Sequence, residues 1–298
     1  MNDVTPHQWY QAIWSNRKAR FGIVLTSLFL SIALVGPYLV GDPIAFIGIP
    51  HQPPSIEHWF GTTGQGQDVF TQVVAGTRVT LMISFATGFL VVCIGALIGG
   101  AAGYFGGVID DILSLFINIF LVLPGLPLMV VIAAWVPTGR VTMTLVLVVT
   151  GWAWGARVIR SQVMVLRQRD FVTSAIVLGE PAWRIIVIEI LPNMASLLVS
   201  SLIGATVYAV GAQVGLEYLG LGDLTSVTWG TNLYWASNDQ ALLTHSWWMF
   251  VPTGLCIALL GFGLTLINYG VDEVTNPKLR DQSHRDSPMA PTPVVILD

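Results

Sequence analysis

The chain has 298 residues, of which 54% are hydrophobic and only 10% charged. Soluble domains carry roughly 25% charged residues, so this composition excludes an ordinary water-soluble domain and places the chain in a bilayer. The net charge of −4 is small, no nucleic-acid partner is expected, and Cys93 and Cys256 both lie in apolar runs, where they read as packing residues rather than a disulfide or metal framework.

Residues 1–20 read as a cytoplasmic interfacial segment. Trp9, Tyr10, Ile13 and Trp14 share one helical face with Arg17 and Lys18 close behind, as in a helix lying along a membrane surface. Six apolar runs then supply the ~20 residues that a spanning helix needs: 21–40, 79–104, 112–135, 141–159, 191–216 and 247–270. The first is too long for a signal-peptide core and is not followed by a small-residue cleavage site.

Between the first two runs, residues 41–78 form an external loop. Gly61-Thr62-Thr63-Gly64-Gln65-Gly66-Gln67-Asp68 leads into a helical pattern ending at Arg78. The glycines invite a phosphate-cradle reading, but the Gly-Lys-Ser/Thr ending of such loops is missing and the segment lies outside the cell. The second run carries Gly88, Gly95, Gly99, Gly100 and Gly103, which predicts close helix–helix approach at the centre of the bundle. The third contains Pro124-Gly125-Leu126-Pro127. Proline removes a backbone donor and bends a helix, giving either a static kink or a flexing gate at Pro124, Gly125 and Pro127.

The fourth run leads into a basic loop, 160–190. Residues 168–178 have helical periodicity, with Phe171, Ala175 and Leu178 on one stripe. Gly179 is placed to end that helix and Pro181 to start another, so a helix–turn–helix against the inner membrane face is expected. Pro192 marks the start of the fifth span. The external loop 217–246 concentrates Trp229 and Trp235, with Trp247 and Trp248 following. These are aromatic anchors at the interface or, for Trp229 and Trp235, a contact for substrate or for a binding protein. Residues 271–298 form a cytoplasmic tail, expected to be disordered from 281.

Basic residues set the orientation. Arg17, Lys18 and Arg20, then Arg157, Arg160, Arg167, Arg169 and Arg184, then Lys278, Arg280 and Arg285 all fall inside if both termini are cytoplasmic, leaving Arg78 and Arg140 outside. The expected fold is therefore an all-α membrane protein with a six-helix domain over 21–270. Its span centres hold almost no ionisable groups. Asp110 and Asp111 sit at a cytoplasmic mouth and Glu217 near an outer end, none resembling a buried relay, which argues against ion-coupled transport. There is no Walker A sequence, no metal-ligand spacing, no His-Glu-x-x-His and no Gly-x-Ser-x-Gly. The chain is not expected to be an enzyme or to bind a cofactor.

The loop resembles the EAA loop, EAA-x3-G-x9-I-x-LP, of binding-protein-dependent ABC importer permeases: Ala175, Gly179, Leu191 and Pro192 match, while Thr173, Ser174 and Glu189 depart from it. Gly61-Thr62 through Val69, Gly76-Thr77-Arg78, Tyr218 to Gly222, Thr228-Trp229-Gly230 and Asn276 to Arg280 are similar, in order, to stretches of the dipeptide/oligopeptide permease C-type subunits. The resemblance implies a type I ABC importer permease subunit in a prokaryotic cell membrane. It implies as partners a homologous second permease, two cytoplasmic ABC ATPases that bind the ATP and Mg²⁺, and an external or periplasmic solute-binding protein delivering a peptide or an oligosaccharide. It also implies a coupling helix around 170–183, with Asp170, Phe171, Thr173, Ser174, Ala175, Leu178, Gly179 and Trp183 meeting the ATPase. Asp170 would stand in for the absent glutamate. The alternative is a stand-alone channel or secondary carrier for a small solute.

Overall fold

The computed structural model describes residues 16–275. The expected interfacial face at Trp9 to Trp14 and the tail beyond 281 lie outside them. Among the described residues all regular structure is helical, apart from one bridge between Thr62 and Asp68. Five helices are long and apolar enough to cross a membrane, and a bent pair supplies a sixth candidate span.

Helix α1 is Arg17–Leu39 and is capped by Asn16, whose side chain accepts from the amides of Lys18 and Ala19. Helix α2, Val69–Phe105, has 37 residues and so runs about 55 Å, well beyond a ~30 Å hydrocarbon core. The helical pattern before Arg78 and the second apolar run are thus one continuous helix. Asp68 caps it through the Thr71 amide at 2.8 Å and also meets His58 Nδ1 at 3.1 Å, so the glycine-rich segment is a folded N-terminal lead to α2.

The third run is broken rather than bent. Helix α3, Gly107–Val122, and helix α4, Gly125–Trp135, meet at 90°. Leu123 is extended (φ −67°, ψ 131°), as the residue before a proline must be, and that stops α3. Pro127 lies in the first turn of α4, where an amide would have no helical partner anyway.

Helix α5, Arg140–Arg167, continues two turns past the expected end of its apolar run at 159. Hydropathy falls there, but no breaker interrupts the backbone hydrogen bonds, so Arg160 and Arg167 ride on the helix instead of a loop. A short helix α6, Asp170–Val177, follows. The chain then turns through Ala182–Arg184, a π-helical stretch Ile185–Ile190 and Leu191–Asn193 before the long helix α7, Ala195–Tyr218. Pro192 has no N–H, and the wider stretch preceding it, where the Leu191 amide bonds Ile186 O, re-routes the backbone hydrogen bonds. Helix α8, Trp229–Asn238, begins with a capping box between Thr228 and Thr231, and helix α9, Val251–Thr275, closes the bundle.

The glycines of α2 sit where helices touch. A side chain on Gly95 would meet Ala156 N at 3.2 Å, one on Gly99 would meet Ala156 O, and one on Gly103 would meet Arg160 O at 2.7 Å. This three-glycine ladder lets α2 and α5 run side by side. Gly88 faces Thr206 of α7 in the same way. At the other face Gly22 of α1 abuts Gly263 O of α9, and Asn16 Nδ2 donates to Glu273 Oε2 at 2.8 Å. The core between α1, α2, α7 and α9 closes around Phe29, Leu81, Val210 and Trp229.

Candidate functional site

The segment singled out in the sequence folds as a two-faced helix. Asp170, Thr173, Ser174, Val177 and Leu178 occupy i, i+3, i+4, i+7 and i+8, the spacing of one helical face, and all are exposed. Val177 and Leu178 are each 81% exposed. The opposite face is buried: Val172 and Ala175, with the half-buried Phe171, join Tyr104 of α2, Ile159 and Val163 of α5, and Ile185, Ile190 and Met194 on the way into α7. The expected stripe of Phe171, Ala175 and Leu178 is therefore corrected. Phe171 and Ala175 anchor α6 to the bundle, while Leu178 and the unforeseen Val177 point away from it.

The end of α6 is built as expected. Gly179 has φ +79°, its amide donates to Ile176 O at 3.0 Å, and the Glu180 amide donates to Ala175 O at 3.1 Å. That pair of bonds is a Schellman motif, which satisfies the last carbonyls of the helix. Nothing lies within 4 Å of a Cβ placed on Gly179, so its surroundings are open. Beyond the turn, Trp183 is 65% exposed and Arg184 pairs with Glu180. The outward face thus combines one carboxylate in the first turn of α6, two hydroxyls and a tip of bare aliphatic and indole surface. Next to it, Arg167 lies over the Tyr104 ring at 5.7 Å, and Arg160 holds Asp110 of α3. Asp110 is thus not a free acid at a mouth but a clamp between α3 and α5.

Pro124, Gly125 and Pro127 are all exposed at the α3–α4 break. Leu123 and Gly125 border a chamber of about 630 Å³ that continues between α5, α7 and α9.

At the opposite end of the bundle the tryptophans divide. Trp229 is fully buried: its indole donates to Val73 O at 3.1 Å and packs edge-on against Phe29. The expected contact with substrate or binding protein is therefore corrected for Trp229, which is a core residue. Trp235, at 37% exposure, keeps an open face and donates to Leu224 O at 3.4 Å. Glu217 is also buried, accepting from Gln213 Nε2 at 3.0 Å and Thr228 Oγ1 at 2.6 Å. Gly222 and Gly230 leave room for it. Gln213, four residues earlier on α7, was within reach by helical spacing, but Thr228 reaches Glu217 only when α8 folds back on α7. Among the described residues no three His, Cys, Asp or Glu side chains are grouped to hold a metal ion.

Residues 92–275 match the family model described as binding-protein-dependent transport system inner membrane component. The dipeptide transport system permease protein DppC of Bacillus subtilis is 29% identical over 91% of this chain and 85% of its own length. The oligopeptide transport system permease protein OppC of the same organism is 31% identical over 89% of this chain and 87% of its own. An oligopeptide transport system permease protein OppC of Mycobacterium bovis is 30% identical over 77% and 79%.

Proposed function

Since the chain belongs to the family of binding-protein-dependent transport system inner membrane components and is a multi-pass permease subunit of an ABC importer, we propose that α6 is the surface through which cytoplasmic ATPases drive it. The observation that carries this is the two-sidedness of α6. Its outward face, Asp170, Thr173, Ser174, Val177 and Leu178, offers a charge and an apolar tip to a partner, with Trp183 beside it. Its inward face is locked to α2, α5 and the lead into α7 through Val172, Ala175 and Tyr104. A force on such a helix passes to three long helices as a rigid-body motion, because packed cores shift as units rather than deform. Thr173 and Ser174 stand where an acid and an alanine are usual, so apolar shape at Val177 and Leu178 supplies most of the contact and Asp170 the charge.

The complex then comprises this chain, a homologous second permease, two ABC ATPases that bind ATP and Mg²⁺, and a solute-binding protein on the far side. The chain itself binds no nucleotide. The cargo is a peptide, as the names of the similar permeases suggest.

The test is co-expression of the tagged chain with candidate second permease and ATPase subunits. ATPase is expected to co-purify with the wild-type chain, and Leu178→Asp is expected to lose it while the two permeases remain together. No ATPase with the wild-type chain, or undiminished ATPase with Leu178→Asp, counts against the proposal.

A further inference from the structure

The connection 40–68 between α1 and α2 contains no helix, yet it is far longer than the roughly 2–8 residues that usually join packed helices. It is pinned along its length. The amides of Ile47 and Gly48 both donate to Gly66 O at 3.0 Å, and the Thr62 amide donates to Gln52 O at 2.9 Å. His58 Nδ1 meets the α2 cap Asp68 at 3.1 Å, and the Trp248 indole, just before α9, donates to Thr62 O at 3.1 Å. The connection is therefore a fixed platform on the end of the bundle opposite α6.

This platform stands clear of the hydrocarbon. Arg78 Nη1 donates to Tyr38 OH at 3.3 Å beside the end of α1, with the guanidinium 5.4 Å from the centre of the ring. Tyrosine gathers at the membrane–water boundary and arginine is costly inside it, so this pair marks the boundary. From Arg20 to Tyr38 along α1 is about 27 Å, close to the ~30 Å hydrocarbon core. Val69, where the platform joins α2, lies about 14 Å farther along that helix than Arg78.

The platform is nevertheless apolar on its surface. Phe46, Ile47, Ile49, Ile56 and Trp59 are each more than half exposed, Ile56 at 95%. The stretches 46–49 and 56–59 are neighbours, since a Cβ on Gly48 would lie 3.0 Å from His58 Nε2. Trp59 also packs on Phe70 in the first turn of α2, with ring centroids 5.1 Å apart. The five side chains offer about 350–600 Å² of apolar surface, roughly half to three-quarters of one partner's share of a standard interface. Patches of about that size mark interaction sites. Lipid tails do not reach this height, so the occupant is a protein. Between Asp42 and Asp68, Glu57 is the one Asp, Glu, Lys or Arg. Permanent interfaces are the more hydrophobic ones, and interface cores shed charge and gather aromatic residues. A solute-binding protein docks and leaves, so its landing surface must also sit well in water alone.

We propose that this patch is a permanent interface with the homologous second permease, made beyond the membrane on the side away from the ATPases. The surface it meets is apolar and uncharged. A platform already fixed in shape loses little freedom on docking, which favours a lasting contact. The proposal rests on the permease assembly above and adds where, outside the bilayer, the two permeases hold one another.

The test uses the complete importer in nanodiscs, with p-benzoylphenylalanine replacing Ile56 or, separately, Trp59. Irradiation is expected to cross-link both to the second permease, equally with and without solute-binding protein. Cross-links to the solute-binding protein alone, to lipid alone, or to nothing overturn the proposal. A second measurement is co-purification of the second permease in mild detergent. Phe46→Asp combined with Ile56→Asp is expected to reduce it at least tenfold, the scale of two large apolar side chains returned to water. Should that variant not fold, Phe46→Ser with Ile56→Ser serves instead, and undiminished co-purification with either folded variant counts against the interface. ATPase is scored on the same particles. Particles that keep both permeases and the ATPase but give no cross-link between the permeases refute the patch alone, whereas wild-type particles lacking the ATPase refute the assembly on which it rests.

Discussion

Arg160 grips Asp110 with two hydrogen bonds, Nε to Oδ1 at 2.5 Å and Nη2 to Oδ2 at 2.6 Å, and so ties the first turn of α3 to α5 across 50 residues of sequence. Ser114 Oγ donates to the same carboxylate at 2.9 Å. The pair lies at the end of the bundle that carries α6, where a bidentate arginine holds geometry as well as charge. Asp110→Asn is expected to cost about 1.5–3 kcal/mol of stability, the range for a hydrogen bond to a charged group. A thermal-unfolding cycle with Arg160→Met checks it: the double variant should lose much less than the two single losses added together.

Gly179 tests the turn rather than the contact. Asparagine tolerates its left-handed backbone, and the space around it is open, so an importer assembled with Gly179→Asn should hydrolyse ATP and transport much as one with the wild-type chain. Gly179→Asp adds a charge on the exposed turn proposed to meet the ATPase and should uncouple hydrolysis from uptake while expression stays intact. Uptake and ATPase activity, measured in parallel on proteoliposomes, decide between these outcomes; unaltered uptake in Gly179→Asp would remove Gly179 from the coupling surface.

Neighbouring glycines in α2 should behave differently. Gly99 faces the Ala156 carbonyl, with Arg160 N at 3.0 Å from a Cβ, whereas a Cβ on Gly100 meets only Ile186 at an ordinary 3.6 Å. Gly99→Ala is expected to destabilise by about 1–3 kcal/mol, as overpacking does, and Gly100→Ala to be nearly neutral. Melting temperatures of the two variants in one detergent would show the contrast.

Trp229→Ala should act on the fold. Removing a fully buried indole costs about 3–5 kcal/mol. Trp235→Ala, at a partly open site, should leave the melting temperature close to wild type. Equal effects of the two substitutions would contradict the division between core and surface tryptophans.

Asp239 gives a pH dependence. Burial holds its carboxyl above the usual carboxylate range, opposed by the nearby His51 and by the Gly64 amide. An acid whose folded pKa is raised binds more protons folded than unfolded, so stability falls as pH rises from its ordinary value through the raised one. Asp239→Asn should flatten this slope and be the more stable form at neutral pH. Unfolding midpoints between about pH 3 and pH 7, a window that brackets the ordinary aspartate value, would test it.

Some of this was legible in the residues. The apolar runs located the spans because a bilayer demands about 20 apolar residues whatever the packing. The α2 glycines announced a close contact, Gly179 ended its helix where the periodicity stopped, and Pro124 foretold a disturbance in the third span. Each of these is set by local chemistry: a missing side chain, a left-handed turn, a missing donor. What hydropathy could not show is where a helix continues after leaving the lipid, as α5 does to Arg167.

Sequence by itself determined that the chain is a membrane bundle, that it carries a short helix between its spans, and where that helix ends. Only the tertiary structure decided which side of each element matters. Phe171 and Leu178 share a stripe by spacing, yet Tyr104 and Ile185 cover one while the other stays bare. Trp229 and Trp235 share a loop, yet Phe29 and Val73 enclose only the first. Asp110, Glu217 and Asp272 meet Arg160, Thr228 and Ser200 from distant elements. A one-dimensional pattern names the faces a helix offers. Which face is buried depends on neighbours brought from elsewhere in the chain, and those become neighbours only once the helices pack.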